Sequence, residues 1–175
     1  MNHPATPRHI ILIGMPACGK STVGVLAAKT LGYRFIDSDL IIQERDGRRL
    51  HRIIREEGQE GFLKIEEAVN LTLGNEPVPS VIATGGSAVY SPAAMARFKE
   101  IGTVVYLRLS FETVQRRLGN FTHRGVVMPA GYTLRDLYEE RCALYEKYAD
   151  ITVDEGQTDN IGAVLESLCA HFECD

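Results

Sequence analysis

No apolar run in the sequence is long enough to suggest a membrane span. The run Ile10–Ile13 falls far short of the roughly 20 residues a transmembrane helix needs, so no membrane partner is expected. The opening MNHPATPRH has neither the basic stretch nor the apolar segment of a secretory leader, which points to a cytoplasmic protein. Cysteine is sparse. Cys18, Cys142, Cys169 and Cys174 form no C-x-x-C pair and have no histidine cluster beside them. That excludes a zinc site or a disulfide framework and leaves reduced thiols. There is no excess of positive charge either. Lys plus Arg number 19 against 23 for Asp plus Glu, a net charge of −4, so no nucleic-acid partner is expected. Internal repeats and low-complexity stretches are also missing.

What is present is an ordinary globular balance, 45% hydrophobic and 24% charged, over 175 residues. That length predicts one domain, residues 1–175, able to bury about 70% of its unfolded surface without staples. Short apolar runs read as strands at His9–Ile13, Tyr33–Asp37, Ser80–Ala83, Thr103–Leu109 and Ile151–Val153. Helical spacing falls at Lys20–Leu31, with Gly32 as its stop, and at Pro92–Glu100, Phe111–Leu118, Thr133–Tyr148 and Asn160–Phe172. Leu40 to about Gly74 reads as helix in pieces, broken at Gly47 and Gly58, and Gly119–Gly131 reads as a loop. Strands alternating with helices predict an α/β fold with a parallel sheet covered on both faces. Ligands in such sheets bind at the carboxyl ends of the strands.

The chemistry-bearing residues fall at those ends. Gly14-Met15-Pro16-Ala17-Cys18-Gly19-Lys20-Ser21 matches G-x-x-x-x-G-K-[ST] between a strand and a helix, the pattern of a phosphate loop. Its glycines let backbone amides face phosphates, Lys20 supplies a point charge, and Ser21 offers a hydroxyl to Mg²⁺. Phe35-Ile36-Asp37-Ser38-Asp39 ends the next strand. One carboxylate there can serve a hydrated metal and the other a substrate hydroxyl, while Ser38 or Asp39 can equally cap the following helix. Ala83-Thr84-Gly85-Gly86-Ser87 closes a strand with a glycine pair that permits close ligand approach. Arg116 and Arg117 lead into the Gly119–Gly125 loop that carries Arg124, and Arg141 lies on the next helix. A loop arginine can close over phosphates, and an arginine fork suits a carboxylate.

In this order these segments resemble the shikimate kinase family, in the nucleoside-monophosphate-kinase-like branch of P-loop proteins. The resemblance runs from about Ile10 to Ile161. It rests on Gly14–Gly24, Phe35–Asp39, Phe62–Glu66 (F-L-K-I-E), Ala83–Ser87, Arg116–Asn120, the Arg124 loop and Arg141–Tyr145 (R-x-x-L-Y). It implies a three-layer P-loop fold with a five-stranded parallel sheet in order 2-3-1-4-5. A substrate-binding helical region would span about 38–74 and a lid about 119–132. It also implies a monomeric, ATP- and Mg²⁺-dependent kinase in aromatic amino acid biosynthesis, phosphorylating a hydroxyl of a small metabolite, shikimate to shikimate 3-phosphate. Gly14, Ala17, Cys18, Gly19, Lys20, Ser21, Thr22 and Arg116 would hold ATP, with Arg116 on the adenine. Ser21 and Asp37 would serve the metal. Asp39 would hold the acceptor hydroxyl and take its proton, and Arg124 would meet the transferred phosphate. Gly85, Gly86 and Arg141 would complete the acceptor pocket, with Arg141 on the carboxylate.

Three positions depart from the family pattern. Leu63 stands where the family has an arginine sharing the substrate carboxylate, Ser87 where it has a third glycine, and Arg124-Gly125-Val126 where it has Arg-Pro-Leu. These changes leave the phosphate-transfer residues in place and alter the acceptor side. They keep open a kinase acting on a different hydroxylated acceptor, or a non-catalytic nucleotide-binding homologue. A nucleoside monophosphate kinase would need several arginines converging on the acceptor. The basic run Arg45, Arg48, Arg49, His51, Arg52 and Arg55 reads as a solvated helix face, with compensation for the missing arginine as its alternative.

Overall fold

The computed structural model describes residues 9–119, 126–154 and 160–172. Five parallel strands, β1 (His9–Ile13), β2 (Arg34–Asp37), β3 (Ser80–Ala83), β4 (Gly102–Arg108) and β5 (Ile151–Asp154), form one sheet in the order β2-β3-β1-β4-β5. β1 is central and buried along its whole length, and after His9 it is entirely apolar. It pairs with β3 (Ile10 beside Val81) and with β4 (Ile10 beside Thr103). Helices cover both faces. α1 (Lys20–Leu31) and α7 (Ile161–Cys169) pack on each other, with α1 against β1–β3 and α7 against β5. α4 (Pro92–Ile101) and α6 (Leu134–Tyr148) pack on β4. α1 runs tight to the sheet because Gly24 has no side chain. A Cβ there would lie 2.8 Å from the Phe35 ring and 3.2 Å from Leu12.

Between β2 and β3 the chain leaves the sheet as α2 (Ser38–Asp46) and α3 (Leu50–Asn70), which pack against each other. Gly47 stops α2 in the left-handed conformation, as expected. Gly58 (φ 69°, ψ −179°) leaves the helical conformation and divides α3 into two helical segments at a kink, in agreement with the break read at that position. The expected helix at Thr133 begins one residue later. The Thr133 side chain caps it, in a capping box with Asp136. Asn160 likewise caps α7, and Ser110 caps α5 (Phe111–Leu118). A short 3-10 turn, Ala88–Tyr90, was not legible in the sequence. Three residues are too few to show a period.

Candidate active site

Functional side chains gather at the carboxyl edge of the sheet. The loop after β1 is a phosphate cradle already formed. Gly14 is required there because a Cβ would lie 2.7 Å from the Leu107 carbonyl oxygen and 2.8 Å from Cys18 Sγ. Ala17 (φ 63°) and Gly19 (φ 86°) take left-handed backbone that turns the loop into α1. Lys20 Nζ donates to the carbonyls of Gly14 (2.8 Å) and Met15 (2.9 Å) and lies 3.5 Å from Cys18 Sγ. The Cys18 thiol is buried beneath the loop, which explains a small residue at that position. Thr22 is exposed on α1 and does not line the cleft.

Asp37 joins this cradle to α2. Its Oδ2 accepts from Ser21 Oγ (2.6 Å), and its Oδ1 accepts from the amides of Asp39 (3.0 Å) and Leu40 (3.4 Å). The cap of α2 is therefore Asp37. It is neither Ser38, whose hydroxyl accepts from the Gly85 amide (3.0 Å), nor Asp39. Ser21 and Asp37 thus present a hydroxyl and a carboxylate side by side, a donor set that fits a hydrated Mg²⁺ bound also by phosphate. Among the described residues no group of three His, Cys, Asp or Glu side chains is placed to hold a metal.

Opposite the loop, Asp39, Phe62, Glu66, Thr84, Gly85, Gly86, Ser87 and Arg141 share with Lys20 and Ser21 a cleft of about 190 Å³. Asp39 keeps Oδ1 without a donor among the described residues, and burial with the neighbouring Asp37 charge lifts its pKa to about 6, against the pull of Lys20. A carboxyl at that value can take a proton near neutrality. Arg141 is 1% exposed. Its Nη2 donates to the Val127 carbonyl (2.5 Å) and its Nε to the Tyr90 hydroxyl (3.3 Å), which in turn donates to Glu140 (2.5 Å). The fork is thereby fixed with Nη1 turned to Gly86, where a Cβ would come within 3.1 Å. Tyr145 Oη donates to the Gly86 carbonyl (2.6 Å), which anchors the glycine pair.

Not every expected residue lines the cleft. Arg116 is exposed in the last turn of α5. Its neighbour Arg117 instead reaches the phosphate loop, donating to the Ala17 carbonyl (3.3 Å). Arg124 lies outside the described residues, as does the front of the expected lid. Its rear, Val126 and Val127, walls the cleft. None of the basic run enters it. Arg48 is tied to Asp46, Glu56 and Glu57, Arg52 to Glu56, and Arg45 to Thr72. Arg141 is the one arginine among the described lining residues, too few for a phosphate acceptor.

Glu66 belongs to the site although sequence reasoning used it only as part of a motif. It is 2% exposed, accepts from Ser87 Oγ at Oε2 (2.7 Å), and has no donor at Oε1 among the described residues. Burial and the nearby Asp39 charge raise its pKa to about 7, against the hydrogen bond from Ser87. The sequence did carry a signal for it. Glu66 sits among Phe62, Val69 and Asn70 on the buried face of α3, where an acid needs a reason.

Fold and site together define a P-loop phosphotransferase with a small, polar acceptor pocket. The family model for shikimate kinase matches residues 16–171. A shikimate kinase of Paracidovorax citrulli is 38% identical over 168 residues, covering 94% of this chain and 91% of that protein. One from Vibrio cholerae is 41% identical over 155 residues, covering 85% and 86%. The solved shikimate kinase of Acinetobacter baumannii, in complex with shikimate, superposes with a TM-score of 0.83 at 30% identity, covering 97% of each chain. The chain belongs to the shikimate kinase family, a family of phosphotransferases using ATP with Mg²⁺.

Proposed function

We propose that this chain transfers the γ-phosphoryl group of ATP to a hydroxyl of shikimate, giving shikimate 3-phosphate and ADP. One observation supports this most directly: the Lys20 loop, Asp39 and Arg141 line one cleft. In this reading the loop amides and Lys20 hold the phosphates, and the charge they place there stabilises the transfer. Ser21 and Asp37 would hold Mg²⁺, which supplies further neutralisation of the phosphates. Asp39 orients the acceptor hydroxyl and receives its proton. Arg141 grips the acceptor carboxylate over the Gly85–Gly86 floor. Arg116 is assigned to the adenine, and Arg124 to the transferred phosphate. The chain acts as one domain, a cytoplasmic monomer, and no helix among its described residues is long and apolar enough to cross a membrane.

The test is ADP release by the purified protein with Mg-ATP, with and without shikimate. Shikimate-dependent release is expected. Bound ATP with no dependence on shikimate would overturn this assignment of the acceptor.

A further inference from the structure

The acceptor pocket keeps the glutamate of the Phe62–Glu66 segment but lacks the arginine that the family pattern places beside it at position 63. Shikimate offers a carboxylate and hydroxyls but no cation. Glu66 nevertheless lines the cleft with Asp39 and Arg141 and holds a buried oxygen lacking any donor among the described residues. In the family pattern an arginine at position 63 supplies a neighbouring positive charge. Here Leu63 and the largely exposed Lys64 line an adjoining cavity that shares Glu66 and Ser87 with the cleft, and neither donates to Glu66 Oε1. The hydroxyl of Ser87 occupies one Glu66 oxygen and leaves the other. A buried carboxylate without a partner is costly, so a ligand that brings a cation to it gains accordingly.

The three groups converge over two residues. A Cβ on Gly85 would collide with Glu66 Oε1 and lie 3.0 Å from Asp39 Oδ1, and one on Gly86 would lie 3.1 Å from Arg141 Nη1. Adjacent Cα atoms are about 3.8 Å apart. An ammonium site, a carboxylate site and a hydroxyl site so close together match a molecule whose amine and carboxylate share one carbon and whose hydroxyl is a bond or two away.

We propose that this pocket also accepts a short hydroxylated amino acid as phosphoryl acceptor, its ammonium on Glu66, its carboxylate on Arg141 and its side-chain hydroxyl against Asp39. This rests on the phosphotransfer reading above. The hydroxyl oxygen forms a bond to the γ-phosphorus, the bond from that phosphorus to the bridging oxygen breaks, the electron pair leaves with ADP, and the hydroxyl proton passes to Asp39. Lys20, Asp39, Arg141 and Ser87 all face Glu66, and its pKa of about 7 makes ammonium binding tighten as pH rises through neutrality.

The experiment measures ADP release with L-serine, L-threonine, L-homoserine and shikimate. Glycerate and 4-hydroxybutyrate serve as acceptors without the amine, and ethanolamine as one without the carboxylate. At least one amino acid is expected to exceed its amine-free counterpart at least tenfold in kcat/KM. Glu66→Gln should lower the kcat/KM ratio of that amino acid to shikimate at least tenfold. Leu63→Arg, which adds a cation beside Glu66, should shift the ratio toward shikimate by a similar factor and does not depend on the fold tolerating a change at 66. Turnover of shikimate with no amino acid above the rate for ATP alone would overturn the inference and leave the phosphotransfer reading standing. So would equal turnover of the amine-free acids. Turnover of nothing, with ATP bound, would overturn both.

Discussion

At the phosphate end of the cleft, Lys20 has two carbonyls within 3 Å, and Asp37 accepts three hydrogen bonds. At the acceptor end, Asp39 and Glu66 each hold a buried oxygen with no donor among the described residues, and both have raised pKa values. One end is complete before a ligand arrives and the other is complete only with one. That difference follows from what each end must do. The phosphate loop holds a group common to every member of its class, so its geometry can be fixed by backbone and short-range contacts. The acceptor end must distinguish one small molecule from another, and unsatisfied polar groups do this by penalising any molecule that fails to pair them.

The largest break in this comparison comes from removing charge at the complete end. Lys20→Met should lower kcat by about 10³-fold, the scale of losing a preorganised charge at the transferring group. Acceptor affinity, measured by calorimetry, should change little. A kcat within tenfold of wild type would show that Lys20 serves only to brace the carbonyls of Gly14 and Met15.

The next effect is on stability, at the incomplete end. The pKa of Glu66 rises from 4.5 to about 7 on folding. Its contribution is fully present below about pH 4.5 and is lost as pH rises through about 7. That shift corresponds to about 3 kcal/mol at pH 8. Glu66→Gln should therefore be more stable than wild type in urea at pH 8 and lose most of that advantage at pH 4.5. A difference that does not move with pH would mean Glu66 has a partner in solution.

Arg141→Lys sharpens the comparison further. It keeps the charge but gives up the fork held by the Val127 carbonyl and the Tyr90 hydroxyl. The acceptor KM should rise by roughly 10–100-fold, the worth of one or two charged hydrogen bonds. The KM for ATP should stay close to its wild-type value. Parallel increases in both would place Arg141 in general support of the fold.

The two ends also differed in how much of them could be read from the sequence. The phosphate loop, the Asp37–Asp39 pair and the glycine turn are contiguous, and each follows a strand, so pattern and position locate them together. The sheet order came through resemblance and agrees with the structure. Glu66 was legible only as an acid on a buried helix face, while Tyr90 and Arg117 act through contacts spanning 51 and 100 positions in the chain, which no local pattern encodes. The capping role of Asp37 was hidden for a different reason. Asp37, Ser38 and Asp39 are all good caps, and only backbone geometry chooses among them. The break at Gly58 was legible because a glycine there can take the positive φ that interrupts the helix.

The smallest expected effect tests whether the basic run on α2 and α3 takes any part in the acceptor end. Arg48 is bound to three carboxylates, Asp46, Glu56 and Glu57, and does not line the cleft. A guanidinium so committed has little left to offer a substrate, and its ion pairs are near solvent. Arg48→Ala should leave stability nearly unchanged, measured by urea denaturation. It should leave the acceptor KM unmoved at low and at moderate salt, since a long-range contribution to a charged acceptor would be screened as ionic strength rises. An acceptor KM raised at low salt and restored at high salt would instead make this face an electrostatic guide to the pocket. The missing charge at Leu63 would then be replaced at a distance, and the acceptor end would be less incomplete than its nearest contacts indicate.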